Sequence, residues 1–248
     1  MQNKKASLKS QLEGNVCEIE DTEEMFWLSQ SDDYQSKLRL AEKRIKQYRY
    51  LDAADAFRQA LAVKEDCALY MKLGGTLLTT LQFAEAKKAY DRAKELGADG
   101  TSYYYPLAIW YYLQGEYQMA AEVLPNCLPC DGEMEIAVLY WELLSSLQGK
   151  VESGCVDRYH AGMDVGHHRA YEVVVQMACM QLQMDEVYAY LDTADDLSYV
   201  VAAYGIYVIL MSRGEKEQAA ELFTALLQKE SVWPCIPYLA AYQEAKRP

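Results

Sequence analysis

Histidine is scarce in this sequence, three among 248 residues, and phenylalanine nearly so at four, although tyrosine supplies 21 aromatic positions. No GxSxG elbow, GxxxxGK phosphate loop or HExxH pair occurs, so the usual nucleophilic, phosphoryl-transfer and zinc-hydrolase signatures are missing. The expectation is no enzyme, with no catalytic residue and no cofactor. Long apolar runs are lacking too: the longest, Tyr199 to Met211, has 13 residues, against about 20 for a membrane span. Met1 to Gln11 contains no apolar core of a secretory signal, which points to a cytoplasmic protein without membrane association. The seven cysteines are odd in number and scattered, which excludes a simple disulfide framework and suits reduced thiols.

Bases are missing from one region in particular. Between residues 101 and 212 only Lys150, Arg158 and Arg169 face 15 acids, and this stretch accounts for nearly all of the formal net charge of -13. Such a balance disfavours nucleic acid and anionic membranes; it can attract a basic partner or simply serve as a solubilising outer face. The counterweight lies at residues 37 to 49, where Lys37, Arg39, Lys43, Arg44, Lys46 and Arg49 accompany a single acid, Glu42.

The dominant pattern is a repeat. A small residue, a larger one four positions on and a small one three further recur as Ala53/Phe57/Ala60, Ala86/Tyr90/Ala93, Ala120/Leu124/Cys127, Gly154/Arg158/Ala161, Val187/Leu191/Ala194 and Ala219/Phe223/Leu226. Successive first members are 33, 34, 34, 33 and 32 residues apart. A second apolar pattern precedes each copy, as Tyr70, Leu73, Gly74 and Leu77 do in the second, which predicts helix pairs. Gly115, Gly149 and Gly214 stand five residues before the small position, where a helix end tolerates a left-handed residue.

This pattern resembles the tetratricopeptide repeat family, whose units of about 34 residues are helix-turn-helix pairs. The resemblance implies an all-α, right-handed superhelical solenoid of antiparallel helix pairs with units near 34–66, 67–100, 101–134, 135–167, 168–199 and 200–231. The fourth is degenerate, with Gly154 and Arg158 where alanine and an aromatic are preferred. Residues 1–33 read as an acidic leader whose Phe26-Trp27 island caps the first pair or serves docking. Residues 232–248 read as a C-terminal capping helix.

By the same resemblance, first helices line a concave groove. The candidate lining is Met71 and Leu78, then Tyr105, Ile109, Tyr112, Leu139, Leu143, Val175, Tyr204 and Val208, apolar or aromatic positions suited to a peptide or helix with spaced anchors. The expected function is therefore a protein-protein interaction scaffold; the groove could also be closed by its own packing or by residues 1–33. Two alternatives are a secretion-type chaperone holding apolar segments of an exported client, and a regulator touching nucleic acid through the basic first helix. Cys127 and Cys130, followed by Cys155, His160, His167 and His168, have metal-like spacing, but Cys127 falls on the small packing position, so no metal is expected. The sequence sets neither the partner nor the oligomeric state.

Overall fold

The computed structural model describes residues 5–14 and 19–247. Among the described residues the chain is all-α, without strands, and forms two compact units, 1–99 and 100–248. None of their helices is long and apolar enough to cross a membrane.

The first unit contains α1 (Leu8–Leu12), α2 (Glu23–Gln30), α3 (Tyr34–Lys46), α4 (Tyr50–Val63), α5 (Cys67–Thr79) and α6 (Phe83–Glu95). α3 pairs with α4 and α5 with α6, and α4 also packs on α5. Asp33 and Asp66 start the first helices by accepting the Ser36 and Leu69 amides, the usual carboxylate N-cap. Ala53, Phe57, Ala60, Ala86, Tyr90 and Ala93, the repeat's own positions, are all fully buried. Gly74 shows why a small residue is needed between paired helices: a Cβ there would lie 2.3 Å from the Tyr90 ring.

The second unit contains α7 (Thr101–Gln114), α8 (Tyr117–Val123), α9 (Gly132–Gly149), α10 (Cys155–Arg158), α11 (Arg169–Ala178), α12 (Met184–Thr193), α13 (Asp196–Arg213), α14 (Lys216–Leu227) and α15 (Ile236–Lys246). α7 pairs with α8 and α13 with α14, while α9, α11 and α13 pack on one another. α15 lies against α7, α13 and α14. The degenerate fourth copy keeps only the four residues of α10 where a second helix was expected.

One turn recurs in both units. Tyr48, Leu81, Gly115 and Gly214, each five residues before the repeated alanine, have φ of +59°, +58°, +85° and +79°. The residues that follow, Arg49, Gln82, Glu116 and Glu215, share φ near -83° and ψ of 62°, 66°, 58° and 61°. Their amides donate to Arg44, Leu77, Tyr111 and Leu210, five residues back in every case. The turn therefore follows the packing period whether or not glycine is present. Gly149 departs from the expectation: Lys150 takes the left-handed conformation instead (φ 54°), and Gly149 ends α9 where a Cβ would sit 3.1 Å from the Gln118 amide nitrogen.

Where the leader's apolar island packs on α3, it is Met25 rather than the aromatic pair that turns inward. Met25 is 2% exposed, whereas Phe26 and Trp27 are 51% and 64% exposed. Residues 1–4, 15–18 and 248 of the expected leader and cap lie outside the described residues.

Candidate binding surface

Most positions expected to line an open groove are core. Leu78, Ile109, Tyr112, Leu139, Leu143, Val175, Tyr204 and Val208 are buried, and Met71 and Tyr105 are half-buried. Met71 and Leu78 belong to the first unit and the other eight to the second. The Tyr105 hydroxyl is removed from water, and burial drives its pKa well above the ordinary phenol value, with Tyr171 nearby adding to the shift.

Within the second unit the side chains of Tyr112 and Tyr204 are covered by the chain's own C-terminal segment. Pro237, Tyr238, Leu239, Ala240 and Ala241 of α15 are buried, as is Trp233 before it. A polar ring seals the contact. The Gln148 amide donates to Tyr112 Oη and to Glu244 Oε1, both at 2.8 Å, and the Tyr204 hydroxyl donates to Glu244 Oε1 at 2.8 Å. Tyr204 has one proton and spends it on Glu244. The 2.9 Å Tyr112–Tyr204 contact is therefore donated by Tyr112. Four side chains close a circuit in which every proton is used, and burial followed by the neighbouring Glu244 and tyrosines raises both phenol pKa values far above normal. Arg247 completes the seal by donating to the Leu113 carbonyl at 3.1 Å and to Tyr117 Oη.

An open apolar site lies elsewhere on the second unit, where α11 stops early. Gly205 fits tightly against Tyr140 and Val174, which puts these three residues at one level of α13, α9 and α11. Four residues on, α11 ends at Ala178, while α9 continues to Gly149 and α13 to Arg213. The missing turn, about 5.4 Å of helix, leaves a cavity of about 290 Å³ lined by Leu143, Ser146, Leu147, Val151, Ser153, Val156, Ala178, Ile209, Ser212 and Arg213. Of the expected groove residues, Leu143 alone borders it.

Its rim is largely apolar. Val151 and Val156, both in the lining, are 39% and 49% exposed. The cavity is close to the lower limit of about 300 Å³ for ligand sites, a size for one or two side chains. The rim valines alternate with the exposed acids Glu152 and Asp157, and three helix C-termini, each carrying about half a negative charge, converge on the cavity. Of the bases of this region, Arg158 and Arg169 are committed to Glu142 and Glu172, while Arg213 stands in the lining itself.

No family model and no curated protein matches this chain.

The cysteine and histidine constellation lends itself to packing. Cys127 and Cys155 are buried, and loss of solvent pushes each thiol up to about 12. His168 Nδ1 contacts the Glu133 carbonyl at 2.6 Å. No group of three potential metal ligands occurs among the described residues. On the basic first helix, Lys43 pairs with Glu24 and Arg44 with Asp21, so two of its cations already face leader carboxylates.

The early end of α11 carried no signal in the periodicity, because periodicity reports which face of a helix is apolar and not where the helix stops. The Cys179-Met180 dipeptide was the available clue, with Met180 in a left-handed conformation (φ 56°) that glycine takes at equivalent turns.

Proposed function

We propose that the chain is a non-enzymatic, tetratricopeptide-like scaffold that binds a segment of another protein through one apolar side chain inserted over Ala178, with flanking basic residues held by the acidic surface around it. The carrying observation is the open, largely apolar cavity at the end of α11, whose lining includes exposed Val151 and Val156. The tetratricopeptide-like part draws support from the turn shared by Tyr48, Leu81, Gly115 and Gly214. A concave, largely apolar opening suits an inserted side chain, and the 15 acids against three bases of residues 101–212 favour encounter with a basic segment.

Fluorescence anisotropy with synthetic lysine-flanked peptides tests this directly. A central leucine buried in the cavity contributes about 1.5–3 kcal/mol, so replacing it with alanine weakens binding about tenfold to a hundredfold. Ala178→Trp fills the cavity and abolishes binding while circular dichroism stays unchanged. Binding that ignores the central residue, survives Ala178→Trp or does not occur at all refutes the reading.

A further inference from the structure

The first unit presents a cationic face that the leader covers. Asp21 lies between two guanidinium groups, its Oδ2 3.1 Å from Arg44 Nη2 and its Oδ1 hydrogen-bonded to Arg49 Nη1. Glu24 Oε2 accepts from Lys43 Nζ at 2.6 Å, and Lys37 Nζ donates to the Ser29 carbonyl at 2.8 Å. Between these polar contacts Met25 is sunk to 2% exposure. Asp21, Glu24 and Met25 thus touch the face as a ligand would, with two carboxylates on cations and a long apolar side chain in a hole beside them.

Two features show that this occupant fits imperfectly. Arg44 Nε is buried and has no hydrogen-bond partner, because Asp21 divides its two oxygens between Arg44 and Arg49 and makes no bidentate fork with either. α2 is also thinly anchored: Met25 is its one buried residue, and Phe26 and Trp27 stand in solvent. A segment held by one apolar side chain and a few ion pairs opens locally far more readily than a packed helix.

We propose that the face formed by α3 and the start of α4 is a recognition site for an acidic segment of another protein, carrying carboxylates three residues apart followed by a long apolar side chain, and that residues 21–25 occupy it in cis. The site differs from the α11 cavity in location and in the sign of its partner. The hole for Met25 favours a protein over a nucleic acid, since phosphate backbones supply no apolar side chain.

The test uses the full chain carrying Asp21→Asn and Glu24→Gln, with Met25→Ser as a second, independent way of loosening the leader. Hydrogen exchange of the amides of α2 should accelerate about tenfold or more on losing hydrogen bonds to charged partners. A labelled peptide of residues 19–31 should then bind in trans, at least tenfold more tightly to the loosened variants than to the unsubstituted chain. Serine at peptide positions 26 and 27 should change nothing, and adding Arg49→Gln should abolish binding. Unchanged exchange in α2, failure of both loosened variants to bind the peptide, or preferential binding of an oligonucleotide that the peptide cannot displace would each overturn the proposal.

Discussion

Replacing Gly74 and, separately, its neighbour Gly75 with alanine should move stability in opposite directions. Both lie inside α5, and alanine in a helix interior is favoured over glycine by about 0.8–1 kcal/mol. At Gly75 a Cβ meets nothing within 4 Å, so Gly75→Ala should stabilise the first unit by about 0.5–1 kcal/mol. At Gly74 the same methyl would lie 2.3, 2.6 and 3.0 Å from three ring carbons of Tyr90. Tyr90 is fully buried and cannot swing into solvent. Overpacking of this kind costs about 1–3 kcal/mol, and contacts this short belong at the upper end. Set against the propensity gain, Gly74→Ala should destabilise by about 1–2 kcal/mol.

Urea unfolding, with hydrogen exchange in α5 and α6 reporting on this unit, measures both variants. Tyr90→Leu makes room for the methyl and removes a buried hydroxyl that has no hydrogen-bond partner. Gly74→Ala combined with Tyr90→Leu should therefore cost less than the sum of the single changes, with a coupling of about 1 kcal/mol or more. Equal signs for the two alanine variants, or strict additivity with Tyr90→Leu, would refute the close approach of α5 and α6.

Tyr204→Phe leaves the Tyr112 hydroxyl without its acceptor and should destabilise the second unit by about 1–3 kcal/mol. In urea unfolding its effect should be markedly non-additive with Tyr112→Phe, because both cut the same circuit. Acid should release the leader: burial raises the Asp21 pKa, but hydrogen bonds from Arg49 and Arg44 outweigh this and leave it below the ordinary value. A depressed folded-state pKa contributes stability above the unfolded value of about 3.9 and loses it as pH falls through the folded one. Exchange in α2, corrected for its intrinsic pH dependence, should stay flat from pH 8 to 5 and accelerate below about pH 4. Release near neutrality would assign the restraint to another group.

The pairing period was legible because close helix approach demands small residues, and Ala53, Ala86, Ala120 and Ala219 are fully buried where the pattern places them. Helix starts were less legible. α9 begins at Gly132 and α13 at Asp196, three and four residues before the expected unit boundaries, since Asp131 and Asp195 cap them. The same residue type caps α3 and α5, so aspartates near 33-residue intervals were the overlooked signal. The groove failed for a different reason. Spacing identified a common helix face at Tyr112 and Tyr204, but their cover comes from residues 236–247, too far along the chain for local periodicity to reveal. The run Tyr238-Leu-Ala-Ala241 hinted at it, because a cap with one polar face has no need of four consecutive buried residues.

The degenerate fourth copy links the missing helix to the open cavity. Residues 150–168 are held to the unit by buried Glu142, which accepts from the Gly154 amide at 3.1 Å and from Arg158, and by Glu172, which accepts from Tyr159 at 2.9 Å and from Arg169. Buried carboxylates are a poor source of stability, since desolvation offsets much of the attraction. An alanine-rich second helix, like those in the first two pairs, would cover α9 and α11 without that cost. What the charged clasps provide is a fixed path for an irregular chain, and that path brings Val151, Ser153 and Val156 to the wall of the α11 cavity. Departure from the repeat is therefore what shapes the open site.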